Sequence, residues 1–509
     1  MGAALGIPLF IVSLVIESFT KWVRSIRDDA RQEWRGNIGH AGKLLKGVIR
    51  DDDEYAEAEL PPLDASVVET LSTGYVCWGR LPDDIIVSVF ERYLEDAATP
   101  LRDRWKRNRE GPFVLAMVCM HWRRIALATP LLWTFIGVPA FTSSPKWDRI
   151  GPVQSNENLR LTDRWLYLTS IIIERSRDAP LDVYMSQFLV CDPDASGQSV
   201  YWGATRKGVY GLHAKFLSLL GFHAHRIRSI YMSAEVDPSA VWERLGARPL
   251  HCIGSVDAAE RAPWSIYLPQ LRTLHVRRRL MGSTPANLLD TRLSLIILDA
   301  PQLSSLELEG TPQLLPATDT HVQKMRIYDN ALIINTWLWL RVHACATSLL
   351  QLQIHIENNR SAIYTVNGPD VEVPSTIQLP ALKTFILEYS LTRDPDLVSD
   401  VMSRLQISSL QTARWRTLDS EVGCLGIFLH NLHPGIQRLE IERTASSYPH
   451  TSLSEQQANI ICTRFKHLRE LVLQSCRVES SFQLSLSRHK PGFEVEQTSW
   501  ASWTYKWES

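Results

Sequence analysis

A spaced triplet of apolar residues recurs through the second half of the chain and constrains its fold more than any other feature. The pattern is apolar-x-x-apolar-x-apolar, and successive copies start 19 to 44 residues apart. The last two apolar residues of each copy are two positions apart, so they lie on one face of a strand. Each copy therefore predicts one short strand. The copies are Ile227-Ile230-Met232, Leu271-Leu274-Val276, Leu303-Leu306-Leu308, Val322-Met325-Ile327, Leu349-Leu352-Ile354, Leu382-Phe385-Leu387, Leu410-Ala413-Trp415, Ile436-Leu439-Ile441 and Leu468-Leu471-Leu473.

The segments between the triplets predict helices, for example Leu397 to Leu405 and Gln456 to Phe465. A strand and a helix in each unit would stack around a continuous core. The array resembles irregular leucine-rich repeats, and the resemblance implies a curved solenoid. The alternative is an ordinary αβ protein in which such triplets are scattered.

A second pattern, near residue 80, predicts a pair of helices. Asp83 and Asp84 suit the first turn of a helix, where carboxylates complement the helix dipole. Apolar residues follow at three- and four-residue spacing. A second helix is predicted from Pro112 to about Ala128, with Leu115, Val118, Trp122 and Ile125 on one stripe.

The two helical segments, LPDDIIVSVF and VCMHWRRIALATPLLW, resemble an F-box domain in the long-insert form common in large fungal families. The resemblance implies docking on the small Skp adaptor of a cullin–RING ubiquitin ligase. It also implies which residues contact the adaptor, namely Leu81, Pro82, Ile85, Ile86, Val89, Phe90, Trp122 and Pro130. The alternative is a helical hairpin with an ordinary apolar core.

Together these patterns predict a fold of the α+β or αβ solenoid class, with an N-terminal helical F-box followed by a curved leucine-rich-repeat-like array. We expect a poorly structured hydrophobic and polar lead-in over 1–75, the F-box over 79–138, a linker with its first elements over 139–225, and the solenoid with a C-terminal cap over 226–509. Trp503 alternates with Tyr505 and Trp507, which suits either that cap or a ligand contact.

Composition and motifs favour binding over catalysis. The 54 basic and 55 acidic residues leave no overall field that would attract nucleic acid. The eight cysteines form no C-x-x-C pair, so we expect no metal, no cofactor and a reducing location in the cytoplasm or nucleus. No nucleotide-binding or hydrolase motif is present. The run Arg277, Arg278 and Arg279 suits either an acidic or phosphorylated partner or a solvated loop.

The sequence therefore predicts a non-enzymatic substrate receptor of an SCF-type ubiquitin ligase. The F-box would bind the Skp adaptor and through it the cullin, and the repeats would bind an unknown protein target. The alternatives are a ligase-independent leucine-rich-repeat scaffold and a protein anchored to a membrane through the uncharged residues 2–16. That run is shorter than the roughly 20 residues that span a bilayer, so membrane association is the lesser expectation.

Overall fold

The chain forms two compact units, Met1–Trp133 and Thr134–Ser509, in a computed structural model. The structure describes residues 82–95, 111–138, 166–188, 215–234, 239–249, 264–278, 296–309, 314–317, 320–330, 337–357, 374–390, 395–417, 423–443, 452–490, 492–499 and 502–507.

In the described residues of the first unit, 82–95 and 111–133, the chain forms three helices and a closing 3₁₀ turn. They are α1 (Asp83–Glu95), α2 (111–118), α3 (Met120–Ala128) and the turn Pro130–Trp133. The single helix predicted from Pro112 to Ala128 is wrong, because the chain leaves the helical conformation at Cys119 with φ −160° and ψ 169°. The Cys119 thiol accepts a hydrogen bond from the backbone N–H of Trp122 at 3.4 Å, which caps the new helix.

The second unit alternates strands with helices and short connecting strands. Its helices are α4 (166–176), α5 (215–222), α6 (Ser239–Arg244), α7 (Trp337–Ala344), α8 (Pro395–Arg404), α9 (Gly423–Asn431), α10 (Glu455–Arg464) and α11 (Ser480–His489). The strands of its largest sheet are β1 (Phe135–Val138), β2 (Leu181–Phe188), β3 (Ile227–Ala234), β6 (Thr273–Arg278), β8 (Ser305–Glu309), β10 (Lys324–Asn330), β11 (Gln351–Glu357), β13 (Thr384–Ser390), β15 (Thr412–Thr417), β16 (Arg438–Arg443), β18 (Glu470–Gln474), β20 (Phe493–Ser499) and β21 (Ser502–Trp507).

Three smaller sheets form within the connections. One contains β4 (Arg248–Pro249), β5 (Trp264–Tyr267), β7 (Ile296–Asp299) and β9 (Leu314–Pro316). The others pair β12 (Ile377–Leu379) with β14 (Leu405–Ile407), and β17 (Ser452–Leu453) with β19 (Arg477–Val478).

The predicted fold class, an N-terminal helical F-box followed by a curved leucine-rich-repeat solenoid, is wrong. The strands form one 13-stranded sheet in the order β1-β2-β3-β6-β8-β10-β11-β13-β15-β16-β18-β21-β20, with parallel pairs up to β18 and an antiparallel hairpin at the end. This is an α/β-type fold. The connections contain a helix in some places and paired short strands in others, so the spacing of the triplets does not define a uniform repeating unit.

The triplets nevertheless mark the buried face of this sheet. All nine lead into or lie within strands of the 13-stranded sheet, and every residue in them is buried. Parallel registers such as Leu352 opposite Phe385 and Ile354 opposite Leu387 place equivalent triplet positions side by side. Because successive side chains of a strand point to opposite faces, the residues between the triplet positions form a second, mostly polar face.

The predicted alternation of Trp503, Tyr505 and Trp507 along one strand is also observed, on β21. Since the fold is not a solenoid, these residues do not cap one. Tyr505 on β21 is buried opposite Leu471, and Trp503 lies opposite Leu473. β21 and β20 therefore extend the sheet beyond β18.

Candidate functional site

The helices of the first unit pack around a small aromatic core. Phe90 on α1 and Trp122 on α3 meet edge to face with ring centroids 4.9 Å apart, and both are buried. The indole N–H of Trp133 donates a hydrogen bond to the carbonyl oxygen of Ala126 at 2.7 Å. At the surface, Arg124 forms an ion pair with Asp83, with Nη2 at 3.4 Å from Oδ2. These contacts hold α1, α3 and the 3₁₀ turn together.

Most residues predicted to contact an adaptor belong to this core. The structure buries Ile86, Val89, Phe90 and Trp122, half-buries Ile85 and Pro130, and exposes Pro82. Leu81 lies outside the described residues. The buried members cannot meet a partner directly while the unit is folded, so their effect on binding would come through the position of the helices.

Among the described residues of the unit, a cluster of exposed apolar side chains lies instead at the junction of α2 and α3. Val114, Met117 and Val118 follow the i, i+3, i+4 spacing that places side chains on one helix face, and Met120 begins the next helix. Met117 is 84% exposed and Met120 is 80% exposed. We call Val114, Met117, Val118 and Met120 the apolar patch.

Sequence reasoning missed this patch for a physical reason. A continuous helix would keep Val118 in phase with Trp122 on a buried stripe. The break at Cys119 changes that phase, so Trp122 turns inward while Val118 stays at the surface. Apolar residues that lie off the buried stripe, such as Met117, were the signal available in the sequence.

The predicted target-binding residues are far apart in the second unit. Arg277 is on β6, where its Nε lies 2.6 Å from Glu309 Oε2. Arg278 ends the same strand, and Arg279 lies outside the described residues. Trp503 is on β21, eight strand positions from β6 in the sheet order, which corresponds to about 38 Å measured across strands. The arginine run and Trp503 therefore do not form one site.

The polar face of the sheet contains a row of four side chains that the sequence analysis did not single out. Tyr231, His275, Glu307 and Arg326 are cross-strand neighbours on β3, β6, β8 and β10. The Tyr231 and His275 rings are 4.2 Å apart, and His275 Nδ1 lies 3.0 Å from Glu307 Oε2. Burial opposes ionisation of Glu307, but the hydrogen bond from His275 and the nearby Arg326 hold its pKa below the ordinary value.

A second row repeats the same order two residues further along the strands. Tyr328, His355, Glu388 and Arg416 are neighbours on β10, β11, β13 and β15. The Tyr328 and His355 rings are 5.0 Å apart, and His355 Nδ1 lies 2.9 Å from Glu388 Oε2. Burial would raise the pKa of Glu388, but the hydrogen bond from His355 and the charge of Arg416 lower it to about 2.

Arginine and glutamate continue to alternate over the strands that follow. Arg414 and Arg416 both contact Glu442, the latter through Nε at 2.9 Å. Arg438 Nη1 lies 2.7 Å from Glu470 Oε2 on the next strand. Burial opposes ionisation of Glu442, and its hydrogen bonds from Arg416 and Arg414 outweigh burial and lower its pKa. Carboxylates and guanidinium groups of this face therefore neutralise one another.

The two histidines of this face are paired with carboxylates and aromatic rings. Among the described residues, the imidazoles of His275 and His355 contact glutamates and tyrosines, with no hydroxyl or thiol nucleophile bound to them. No group of three or more His, Cys, Asp or Glu side chains in the described ranges is placed to hold a metal ion. Burial raises the pKa of the Cys345 and Cys476 thiols to about 12, so both stay protonated at neutral pH.

No helix within the described ranges has the length and apolar character required to cross a bilayer. The uncharged segment 2–16 lies outside those ranges.

Comparison with known proteins found no family model that matches the chain and no curated protein of significant sequence similarity.

Proposed function

We propose that the chain is a non-catalytic substrate receptor of an SCF-type cullin–RING ubiquitin ligase. The helices of the first unit would bind the Skp adaptor, which brings the cullin, and the second unit would bind a protein target. The observation that supports the proposal is the apolar patch, because Met117 and Met120 are among the most exposed large apolar side chains of the described residues. Exposed apolar clusters commonly mark protein interaction sites.

The composition of the patch suits a helical partner. Methionine side chains are flexible and polarisable, so they adapt to the surface they meet. Removing one such side chain from water on binding contributes about 1.5–3 kcal/mol. Pro82 and Leu131 are also exposed on the same unit. The resemblance of residues 81–133 to an F-box gives the identity of the proposed partner, the Skp adaptor.

In this proposal the chain supplies no reacting group. Ubiquitin transfer is performed by enzymes recruited elsewhere in the assembly, and the receptor raises the local concentration of the target. The second unit contributes a broad polar face whose charges alternate in sign, as in Arg416 beside Glu388 and Glu442. Such a face matches a protein target better than nucleic acid, whose backbone is uniformly negative.

We further propose a cytoplasmic or nuclear location. Cys119, Cys345, Cys462 and Cys476 are free thiols. Free thiols in this number are typical of a reducing compartment.

The test is binding of the purified full chain to purified Skp adaptor, measured by calorimetry. Replacing two exposed methionines, Met117→Lys with Met120→Lys, should weaken adaptor binding by about tenfold or more, because the patch would have to bury two charges. The matched control places the same two lysines on exposed apolar positions of the second unit, Phe222→Lys with Leu484→Lys. This control should bind like the unmodified chain.

Adaptor binding that survives both lysines at the patch would contradict the assignment of the surface. A folded, unmodified chain that does not bind the adaptor at all would contradict the receptor function and support the ligase-independent scaffold.

A further inference from the structure

β20 forms one edge of the 13-stranded sheet, and β1 forms the other. Among the described strands β20 pairs only with β21. The side chains of Glu494, Val495, Glu496 and Gln497 are all exposed. Half of the backbone N–H and C=O groups of an edge strand point away from its neighbour, so they are available to another extended chain. β20 therefore presents a row of hydrogen-bonding groups together with exposed side chains.

Charges alternate in sign along one row of the sheet and end at this edge. Arg438, Glu470, Lys506 and Glu494 are cross-strand neighbours on β16, β18, β21 and β20. The first pair is a close ion pair, with Arg438 Nη1 at 2.7 Å from Glu470 Oε2. Opposite charges on neighbouring strands stabilise a sheet, and like charges destabilise it. The position that would follow Glu494 in this row therefore favours a basic residue.

The next two residues of β20, Val495 and Glu496, further define which side chains would fit on an added strand. Glu496 lies on the same face as Glu494, and its Oε2 is 3.0 Å from Lys506 Nζ. Val495 points to the opposite face and is 49% exposed. A strand that added to this edge would thus meet a carboxylate, an apolar side chain and a second carboxylate in succession.

We propose that β20 is a strand-addition site for an extended segment of another protein in which two basic residues flank one apolar residue. A second copy of this chain is a poor occupant, because pairing two β20 strands brings glutamates close to glutamates. The site goes beyond adaptor binding, and a peptide can occupy it without adaptor or cullin.

The start of β20 is held in place before any partner arrives. Gly492, immediately before the strand, has φ +84°, a conformation that favours glycine. Lys490 Nζ donates hydrogen bonds to the carbonyl oxygens of Phe465 at 3.1 Å and Leu468 at 3.0 Å, and lies 5.0 Å from the Trp507 ring centroid. A preformed edge reduces the ordering entropy that strand addition would otherwise require.

The test uses the full chain and a labelled peptide, Thr-Lys-Val-Lys-Val-Lys-Thr with blocked ends, followed by fluorescence anisotropy. A peptide of the same composition with its lysines contiguous should bind about tenfold more weakly, because it cannot place basic and apolar side chains alternately. The alternating peptide with N-methylated backbone amides should not bind, since it cannot donate the ladder hydrogen bonds.

A charge exchange gives the sharper result. The variant Glu494→Lys with Glu496→Lys should lose affinity for the lysine peptide by about tenfold and gain it for Thr-Glu-Val-Glu-Val-Glu-Thr. The matched control, Glu243→Lys with Glu455→Lys, makes the same change in net charge at exposed positions on α6 and α10. This control should bind the lysine peptide more tightly than the glutamate peptide, as the unmodified chain does.

Three results would overturn the proposal. Equal affinity for the alternating and contiguous peptides would reduce the contact to general charge attraction. Unchanged peptide preference in the Glu494→Lys, Glu496→Lys variant would remove β20 from the site. Self-association of the chain in sedimentation experiments, abolished by the peptide, would make a second copy the occupant.

Discussion

His355 Nδ1 lies 2.9 Å from Glu388 Oε2 across the neighbouring strands β11 and β13. Arg416 contacts the other carboxylate oxygen from the next strand, so Glu388 has a basic group on each side. The Glu388 side chain is only 6% exposed, and these two partners compensate for its loss of contact with water.

This arrangement predicts that the second unit loses stability in acid through Glu388. Its pKa in the folded chain is about 2, below the ordinary 4.5, so the carboxylate stabilises the fold above about 4.5 and this contribution is lost as the pH falls toward 2. Glu388→Gln should lower the free energy of unfolding at neutral pH by up to about 3 kcal/mol. Urea unfolding between these pH values should also give a flatter profile for the variant.

Glu496→Gln provides the control for that experiment, because Glu496 is an exposed carboxylate whose ion pair with Lys506 lies at the surface. It should leave the acid dependence close to that of the unmodified chain. Parallel profiles for Glu388→Gln and the unmodified chain would contradict the role given to the His355–Glu388–Arg416 contact.

The start of α1 gives a second prediction. Pro82 is exposed immediately before α1, and its ring fixes the backbone where the helix begins. We expect Leu81→Ala with Pro82→Ala to abolish co-purification with the Skp adaptor while the second unit stays folded. Hydrogen exchange of the sheet strands checks that the second unit is folded. Unchanged recovery of the adaptor would contradict an adaptor contact at the start of α1.

The buried indole of Trp122 gives a third prediction. Trp122→Ala removes the edge-to-face contact with Phe90 and should destabilise the first unit by about 3–5 kcal/mol. Adaptor binding should be lost together with helical structure, whereas the lysine variant of the apolar patch should bind about tenfold more weakly or worse and keep its helices. Circular dichroism distinguishes the two, and a fully folded Trp122→Ala chain would show that this core is less important than its burial indicates.

The difference in exposure between two cysteines gives a fourth prediction. Cys119 is exposed beside the apolar patch, whereas Cys345 is buried and its pKa is raised to about 12. Brief treatment with iodoacetamide should alkylate Cys119 well before Cys345, because the thiolate is the reactive form. Bound adaptor should slow alkylation of Cys119, as followed by mass spectrometry. Equal labelling with and without saturating adaptor would place the contact elsewhere.

The strands of the second unit were predictable from the sequence because one face of each is buried. Leu352 and Ile354, like the other triplets, follow the two-residue period that burial on one face produces. The helices α8 and α10 were also predictable, because each has apolar residues on one buried face. α10 begins at Glu455, one residue before the predicted Gln456. These signals are local, and local signals survive in any fold that buries the same face.

The assembly of those strands was not predictable in the same way. Triplets specify a buried face, but the short ladders β12–β14 and β17–β19 involve only two or three residues on each strand, and their pairing depends on contacts between separate connections. The rows from Tyr231 to Arg326 and from Tyr328 to Arg416 likewise depend on register, since each contact joins residues on different strands. Only the pairing of the strands brings such side chains together.

The order of the strands also bears on how the chain is made. Every parallel neighbour in the large sheet comes later in the sequence than the strand before it, from β1 to β18. A polypeptide leaving the ribosome can therefore add strands one at a time, each covering the edge left by its predecessor. During synthesis the growing sheet always has a newly exposed edge, and the edge after β18 is covered when β21 pairs antiparallel to it. A message interrupted between these two strands would yield a chain with Leu471 and Leu473 on its open edge, a substrate for chaperones and a seed for aggregation.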